Sequence, residues 1–332
     1  MINLGIIGFG GIAKSGVHIG QILKNPDFNV KAAADIVPNY EKAQEFGIKD
    51  FYTDYKDLLK DPEIDAVLIA TPHFLHAEQA IAAFNAGKHV LIEKPIARNL
   101  EEARNVMEAA KKSGKIGMIG FCQRFYAQHA DIKKQIEEGK IGNVLSARIH
   151  HYQNFRPAPT SWWLDVEKTG GGAVIGSGIH RLDLLRWLIG EVKSVYAAGV
   201  TYAPRTRDGE TCVHAVLEFE SGAVANFSIN WASFSFPDPE GLSISGEKGM
   251  ILGQDLPWYP YQMGVADVEN GAMKEVESPA CQTMYQHFAD CINNNKTPCP
   301  SLEEGYKSLQ LVRAIYKSME TKMPVVVADV DF

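Results

Sequence analysis

Short apolar runs alternate with amphipathic stretches through the first third of the chain. The apolar runs are rich in β-branched residues and end at Gly, Pro or Asp, while the stretches between them have helical spacing. This alternation is typical of βαβ units around a parallel sheet. It predicts strands over 4–7, 30–34, 65–70, 89–92 and 115–119, and helices over 12–23, 40–46, 75–86 and 100–112, the last capped by Asn99.

After Phe121 the pattern changes to longer strands in which polar and apolar residues alternate. A helix over 130–138 comes first, and strands follow over 144–150, 194–200, 213–219 and 223–230. Period two with turn residues between strands indicates a largely antiparallel sheet with helices on one face. We therefore predict an α/β chain of two domains, a doubly wound Rossmann domain over 1–121 and an α+β domain with a large, mostly antiparallel sheet over 122–332.

Composition and charge exclude several classes of protein. The 332 residues are 45% hydrophobic and 22% charged, as in ordinary globular proteins, with a formal net charge of −7. This charge gives no reason to expect a nucleic acid or an anionic membrane as partner. The five cysteines are odd in number and form no CxxC pair, so we predict neither disulfides nor a metal site. Because no signal-peptide pattern or bilayer-length apolar run occurs, we expect a cytoplasmic protein.

The first predicted strand leads into a glycine-rich turn that opens a helix. Residues 8–13 read Gly-Phe-Gly-Gly-Ile-Ala, a G-x-G-x-x-A pattern. Glycines here permit a tight turn and let a pyrophosphate approach the backbone at the helix N-terminus. We therefore assign Gly8, Gly10, Gly11 and Ile12 to a dinucleotide site; an ordinary glycine turn is the alternative.

Asp35 ends the second predicted strand, 22 residues after the glycine pattern. An acid at this place accepts hydrogen bonds from the hydroxyls of the adenosine ribose. A carboxylate disfavours a 2′-phosphate, and no Lys or Arg occurs in the next four residues. We therefore predict NAD rather than NADP as cofactor; the alternative is a solvated aspartate at a strand end.

Further motifs follow in order along the chain. They are Ala-Thr-Pro at 70–72, AGKHVLIEKP at 86–95, Gly-Phe at 120–121, GGG at 170–172 before G-x-H-x-x-D at 178–183, ISGEKG at 244–249 and EGYKSL at 304–309. Together they resemble the glucose–fructose oxidoreductase/inositol dehydrogenase (Gfo/Idh/MocA) family over nearly the whole chain. The resemblance implies a nicotinamide-dependent oxidoreductase acting on a sugar, sugar derivative or cyclitol. It also implies a homodimer or homotetramer formed through the C-terminal sheet.

In the first domain, the resemblance assigns roles to two loops that follow strands. Lys94 would be the active-site lysine that touches substrate and nicotinamide, and Glu93 would help to orient it. The loop after the strand over 65–70 would line the cofactor channel, although relatives commonly have Asn at the position of His73. The residues expected there are Thr71, Pro72, His73 and His76.

In the second domain, His180 and Asp183 lie three residues apart on one face of a predicted helix. An imidazole titrates near neutral pH and therefore suits proton transfer, while Asp183 can accept a substrate hydroxyl or orient the ring. The alternative for Asp183 is an ion pair with Arg181 or Arg186. Many relatives have Asp four residues before the histidine, where this chain has Gly176. Three other residues are expected to contact substrate, with core packing as the alternative for the tryptophans: Arg124, Trp162 and Trp163.

These assignments predict hydride transfer between a substrate carbon and the nicotinamide. His180 would take or return the hydroxyl proton, and Lys94 would position the oxygen and stabilise its negative charge. Two alternatives stay open. One is a non-catalytic dinucleotide-binding regulator of sugar metabolism, and the other is an NAD-dependent glycosidase.

Overall fold

The structure is a computed structural model that describes residues 1–233, 240–253, 264–267, 273–275 and 281–331. The chain forms two compact units, one from Met1–Cys122 with Gln282–Lys307 and the other from Gln123–Cys281 with Ser308–Phe332. The sequence pattern divides the chain once, near 121. It does not show the return of Gln282–Lys307 to the first unit, because an amphipathic helix does not reveal which sheet it covers.

The first unit contains a parallel sheet of six strands, in the order β3-β2-β1-β4-β5-β6. The strand order reverses between β1 and β4, and ligands of open α/β sheets bind at the carboxyl ends of the strands at such a point. The predicted Rossmann topology is confirmed; only the short β3 lacks a predicted counterpart. The strands are β1 (Ile2–Ile7), β2 (Phe28–Ala34), β3 (Asp50–Tyr52), β4 (Ala66–Ile69), β5 (His89–Ile92) and β6 (Gly117–Ile119).

Five helices accompany this sheet in the first 122 residues: α1 (Ile19–Ile22), α2 (Tyr40–Glu45), α3 (Tyr55–Lys60), α4 (His73–Asn85) and α5 (Leu100–Ser113). The predicted cap of α5 is confirmed, since the Asn99 side chain accepts a hydrogen bond from the Glu102 N–H.

The helix predicted over 12–23 is wrong in extent. Residues 11–17 form turns, and only α1 is helical. Three glycines at 10, 11 and 16 lower the helix propensity of this stretch. The Ser15 hydroxyl also donates to the Ile12 carbonyl at 2.6 Å, a local bond that competes with helix formation.

The second unit contains a mixed sheet, nine-stranded within the described ranges and ordered β14-β13-β12-β11-β7-β10-β9-β8-β15. Among the described strand pairs of this second sheet, only β7–β10 is parallel, so the predicted mostly antiparallel sheet is confirmed. The strands are β7 (Val144–Tyr152), β8 (Val192–Val200), β9 (Cys212–Phe219), β10 (Val224–Asn230), β11 (Glu240–Gly246), β12 (Gly249–Gly253), β13 (Gly264–Asp267), β14 (Met273–Glu275) and β15 (Val325–Val326).

The remaining helices are α6 (Ala127–Glu137), α7 (Val166–Thr169), α8 (Ile179–Ile189), α9 (Ala203–Thr206), α10 (Met284–Asn294) and α11 (Leu302–Thr321). Helix α8 lies in the core of the second unit, where Ile179, Leu182 and Leu185 are fully buried. Its rigid burial fixes the direction of the polar side chains that it also carries. Among the helices that the structure describes, none has the length and apolarity needed to cross a bilayer.

Candidate functional site

The glycine turn lies where the ends of β1 and β4 meet. Gly8 has a φ of +89°, and a Cβ atom there would lie 2.6 Å from Thr71 Cγ2 and 2.7 Å from the Ala70 carbonyl oxygen. By contrast, a Cβ atom on Gly10 or Gly11 would meet no atom within 4 Å. The turn therefore packs tightly on the sheet side and leaves space over Gly10 and Gly11, as a pyrophosphate requires.

The Asp35 carboxylate is fixed beside this turn at the end of β2. Its Oδ2 accepts a hydrogen bond from the Phe9 N–H at 2.8 Å, and its Oδ1 accepts one from the Val37 N–H at 3.0 Å. Each carboxylate oxygen has a second lone pair, so Asp35 can accept further hydrogen bonds. Half-buried Asp35 therefore has the acceptor capacity that a ribose-binding acid needs. Ile12 of the glycine turn is 48% exposed.

His76 connects the loop after β4 to the loop after β5. Its Nδ1 lies 2.7 Å from the Pro95 carbonyl oxygen and its Nε2 lies 2.8 Å from the Thr71 carbonyl oxygen. Burial lowers the pKa of His76, and the two carbonyls oppose that shift. His73 and His76 are 3% and 1% exposed, so their side chains lie behind the loops that the resemblance assigns to the cofactor channel. Thr71 and Pro72 are half-buried at the loop surface.

Glu93 is buried under the Lys94 loop and is bound by a histidine that sequence reasoning missed. His18 Nε2 lies 2.8 Å from Glu93 Oε1, and His18 Nδ1 lies 2.7 Å from the Tyr285 hydroxyl. Glu93 Oε2 accepts a hydrogen bond from the Lys94 N–H at 3.2 Å. Burial alone would raise the pKa of Glu93, but His18 and then Lys94 outweigh it and lower the pKa. No spacing in a single sequence connects positions 18, 93 and 285.

Lys94 is the second residue after β5 and is half-buried at the carboxyl edge of the parallel sheet. The same edge carries the glycine turn and Asp35, which follow β1 and β2. The structure thus brings the predicted cofactor residues of the first unit to one edge of the sheet, as parallel strands require.

In the second unit, a buried glutamate binds the glycine run that precedes His180. Glu210 Oε2 accepts a hydrogen bond from the Gly172 N–H at 2.8 Å, and Oε1 accepts one from the Val174 N–H at 2.8 Å and one from the Tyr316 hydroxyl at 2.9 Å. A Cβ atom on Gly172 would lie 2.1 Å from the Glu210 carbonyl oxygen. Burial raises the pKa of Glu210, and these donors oppose the rise. Sequence reasoning missed Glu210 and Tyr316, although the glycine run signalled a close backbone approach.

Asp183 and Arg124 bind each other in the core of the second unit. Arg124 Nε and Nη2 donate to Asp183 Oδ2 and Oδ1 at 2.8 and 2.6 Å, and the Ser308 hydroxyl donates to Oδ1 at 3.1 Å. Burial raises the pKa of Asp183, and the guanidinium of Arg124 opposes that rise. Both side chains are at most 2% exposed. This placement differs from the predicted contacts with substrate. Of the two arginines considered as ion-pair partners, Arg186 also lies within ion-pair distance, with its Nη1 4.0 Å from Asp183 Oδ1, but Arg124 makes the shorter contacts.

Four aromatic rings form a cluster beside the segment that leads into α8. Trp162 and Trp163 stack with ring centroids 4.3 Å apart, and Trp163 meets Trp231 edge to face at 5.9 Å. A Cβ atom on Gly176 would lie 2.4 Å from Trp231 Cη2. The Trp231 indole therefore occupies the space that an aspartate at position 176 needs. The fourth ring, Phe155, lies tilted against Trp231, with ring centroids 4.1 Å apart.

His180 is the second residue of α8 and is half-buried. It lies one turn before Asp183 and four residues after Gly176, so the ring is carried by a helix whose entry is bound by Glu210 and whose body is bound by Arg124. In the described part of the chain, no three His, Cys, Asp or Glu side chains are grouped so that they could hold a metal ion.

Comparison with known families agrees with this geometry. Residues 2–121 match the description "Oxidoreductase family, NAD-binding Rossmann fold", and residues 133–327 match "Oxidoreductase family, C-terminal alpha/beta domain". The chain belongs to the Gfo/Idh/MocA oxidoreductase family. The predicted family and fold class are thereby confirmed, and residues 2–121 of the first unit correspond to the Rossmann domain of that family.

Relatives in this family include enzymes named for sugars and cyclitols. The chain is 31% identical to the 1,5-anhydro-D-fructose reductase of Ensifer adhaerens, covering 84% of each chain. It is 30% identical to the scyllo-inositol 2-dehydrogenase (NAD+) of Bacillus subtilis strain 168, over 85% of this chain and 83% of the relative. A solved levoglucosan dehydrogenase in complex with NADH superposes with a TM-score of 0.89 and 28% identity, covering 99% of this chain and 100% of the other.

Proposed function

We propose that this protein is an NAD-dependent dehydrogenase or reductase acting on a CH–OH group of a sugar, sugar derivative or cyclitol. One arrangement carries the proposal: open space over Gly10 and Gly11 beside the fixed carboxylate of Asp35, at the reversal point of the parallel sheet. The names of the relatives support the substrate class, since they are enzymes of anhydrofructose, levoglucosan and inositol.

Lys94 and His180 are assigned complementary roles. The bound nicotinamide supplies the hydride chemistry of the reaction. The Lys94 ammonium binds the substrate oxygen and stabilises the negative charge that develops there. The His180 imidazole accepts the hydroxyl proton during oxidation and returns it during reduction. Arg124 and Asp183 act behind His180 by fixing α8, because their buried ion pair leaves their charges facing each other.

NAD is preferred over NADP on electrostatic grounds. Asp35 would place a carboxylate against a 2′-phosphate, and the backbone donors from Phe9 and Val37 prevent it from rotating away. We expect Asp35→Ser to weaken NAD binding about tenfold while tightening NADP binding, because the repulsion is removed with the ribose contact. Fluorescence titration with NADH and NADPH measures both changes, and an unchanged NADH-to-NADPH ratio would contradict this role.

The half-buried pair Trp162 and Trp163 is proposed as the surface on which the substrate ring packs. Stacked indoles present an apolar face suited to the C–H side of a pyranose or cyclitol. Trp162→Ala should therefore raise KM for a cyclic polyol about tenfold and alter kcat less, since the contact is the same before and during the reaction. A linear polyol is the control substrate.

The deciding experiment combines a substrate panel with a matched pair of variants. Wild-type protein is incubated with NAD or NADP and sugars, anhydrosugars or inositols, and reduced nicotinamide is followed by absorbance. Lys94→Ala and His180→Ala should each lower kcat by about 100-fold or more while changing the Kd for NADH less than threefold. Tight NADH binding without turnover of any substrate would support the regulator, and release of a glycoside aglycone would support the glycosidase.

A second copy of the chain is the proposed partner. Four large apolar side chains on neighbouring strands of the second sheet are 45–53% exposed: Leu145, Tyr196, Val216 and Val224. Tyr196 and Val216 are direct cross-strand partners in the β8–β9 register, and Val224 pairs with Glu218, two residues from Val216, so these three share one exposed face. Leu145 lies outside this face, because Ser146 is the residue that pairs with Val224. Val216→Lys should shift the wild-type oligomer toward monomer in sedimentation, whereas Glu41→Lys, at an exposed position of α2 in the first unit, should not. Identical sedimentation of both variants and wild type would remove this face as the interface.

A further inference from the structure

A chain of buried hydrogen-bonding groups runs through the first unit from α10 to the Lys94 loop. It consists of the Tyr285 hydroxyl, both nitrogens of the His18 ring, both oxygens of Glu93 and the Lys94 N–H, with contacts of 2.7, 2.8 and 3.2 Å. His18 and Tyr285 are fully buried, and Glu93 is 7% exposed. The function proposed above uses Lys94 but does not use His18 or Tyr285.

The chemistry of these groups fixes the hydrogen at one end of the histidine ring. Ionised Glu93 only accepts hydrogen bonds, so His18 Nε2 carries the hydrogen and donates it. Nδ1 then accepts from the Tyr285 hydroxyl when the ring is neutral and donates to it when the ring is protonated. A buried carboxylate is costly unless it is paired, so His18 is the group that keeps Glu93 ionised beneath Lys94.

The position of His18 gives this contact a second consequence. His18 ends the turn segment that begins at Gly10, and backbone bonds keep that segment compact, from Lys14 N to Gly10 O at 3.3 Å and from His18 N to Ser15 O at 3.2 Å. A shift of the glycine turn is therefore transmitted to the His18 ring. The ring contacts Glu93, whose own backbone leads directly into Lys94.

We propose that His18 is a positioning residue that couples the glycine turn to Lys94 through Glu93. The coupling rests on the proposed function, since it concerns the dinucleotide at the turn and the lysine that acts on the substrate. Filling the space over Gly10 and Gly11 then orders the Lys94 loop, and removing the His18 donor uncouples the two. Glu93 also faces His76 and Lys94, which stay in place when His18 is replaced.

Gly120 offers an independent way to disturb the same contact. A Cβ atom on Gly120 would lie 2.9 Å from Glu93 Oε1, the oxygen that His18 binds. Gly120→Ala therefore forces Glu93 Oε1, the atom that contacts His18, to shift, while His18 and the residues of the glycine turn are not substituted.

Amide hydrogen exchange over residues 92–98, with and without NADH, tests the coupling without relying on turnover. In wild type we expect NADH to slow exchange of this segment at least tenfold. His18→Phe should lose that slowing and lower kcat about 30-fold, within the range known for a misplaced catalytic group, with NADH Kd changed less than fivefold. His18→Gln, which keeps an N–H donor, should restore at least half of the slowing. Gly120→Ala should behave like His18→Phe.

Phe288→Leu is the control for loss of stability alone. Phe288 is fully buried in α10 and stacks on Phe28, and its side chain forms none of the hydrogen bonds of this chain. It should lower the thermal midpoint of unfolding and leave the NADH-dependent slowing intact. The proposal would be overturned if NADH slowed amide exchange of residues 92–98 in both His18→Phe and Gly120→Ala as much as in wild type. It would also be overturned if Phe288→Leu lost this slowing to the same extent as His18→Phe. If His18→Phe does not fold, Gly120→Ala and His18→Gln decide alone. Failure of wild type to bind NADH would instead overturn the proposed function.

Discussion

Two buried glutamates, one in each compact unit, bind the loops that carry Lys94 and precede His180. Glu93 and Glu210 are each 7% exposed, so burial is alike for both. Glu93 faces an imidazole and an ammonium, and its pKa is lowered; Glu210 faces two N–H groups and a phenol, and its pKa is raised. The difference teaches that the charge of the partners, and not the depth of burial, sets the ionisation of a buried carboxylate.

The two glutamates also differ in what surrounds them. Glu93 is bound mainly by the side chain of His18, and its nearest glycine would place a Cβ atom against a carboxylate oxygen. Glu210 is bound by the backbone of 172–174, and its nearest glycine would place a Cβ atom against backbone. We therefore expect the Glu210 region to tolerate substitution less well, because backbone cannot rotate away as a side chain can.

The largest loss of folding stability is expected from Gly172→Ala. Its Cβ atom would lie 2.1 Å from the Glu210 carbonyl oxygen and 2.7 Å from its nitrogen, so the turn before His180 must open. We expect about 3 kcal/mol or more of destabilisation from this overpacking. Chemical unfolding measures it. A loss below about 1 kcal/mol would show that the backbone of 209–211 is not rigid.

Glu210→Gln should lower the free energy of unfolding by about 2 kcal/mol, somewhat less than Gly172→Ala. The amide nitrogen that replaces one oxygen cannot accept from Gly172 or from Val174 and Tyr316, so a buried donor is left without its acceptor. Because the segment before α8 then loosens, kcat should fall while the KM for NAD stays the same. Tyr316→Phe removes one of the three donors and is the graded control, with a smaller loss of both stability and kcat.

Gly120→Ala is expected to lower the free energy of unfolding by about 1 kcal/mol, less than Gly172→Ala does. The added methyl group meets Glu93 Oε1 at 2.9 Å, and the carboxylate can turn aside by a few tenths of an ångström. Unfolding of the two glycine variants side by side measures the contrast. Equal losses would contradict the view that the two glutamates lie in surroundings of different rigidity.

The pH dependence of stability should have opposite sign at the two glutamates. A lowered pKa means that the Glu93 contribution is present above the ordinary value of 4.5 and is lost as pH falls through the lowered pKa. A raised pKa means that the Glu210 contribution is present below 4.5 and is lost as pH rises through the raised pKa. Comparing wild type with Glu93→Gln and Glu210→Gln in unfolding experiments on both sides of pH 4.5 should show the difference shrinking in acid for Glu93 and toward neutrality for Glu210.

The sequence by itself determined the two sheets, the family and the residues at the carboxyl edge of the first sheet. Period-two runs, buried β-branched runs and the glycine pattern are local signals, and the carboxyl ends of parallel strands meet once the strand order is known. Gly8, Asp35 and Lys94 could therefore be assigned without coordinates. The family motifs likewise identified His180 as a residue of a helix.

Only the tertiary structure decided which polar groups bind each other. The pairs His18–Glu93, Arg124–Asp183 and Glu210–Gly172 join positions 75, 59 and 38 residues apart, and no local pattern encodes such partners. The same holds for the Trp231 indole, which makes Gly176 a steric necessity. A side chain's type and spacing limit what it can bind, but desolvation and the nearest partner in space determine what it does bind.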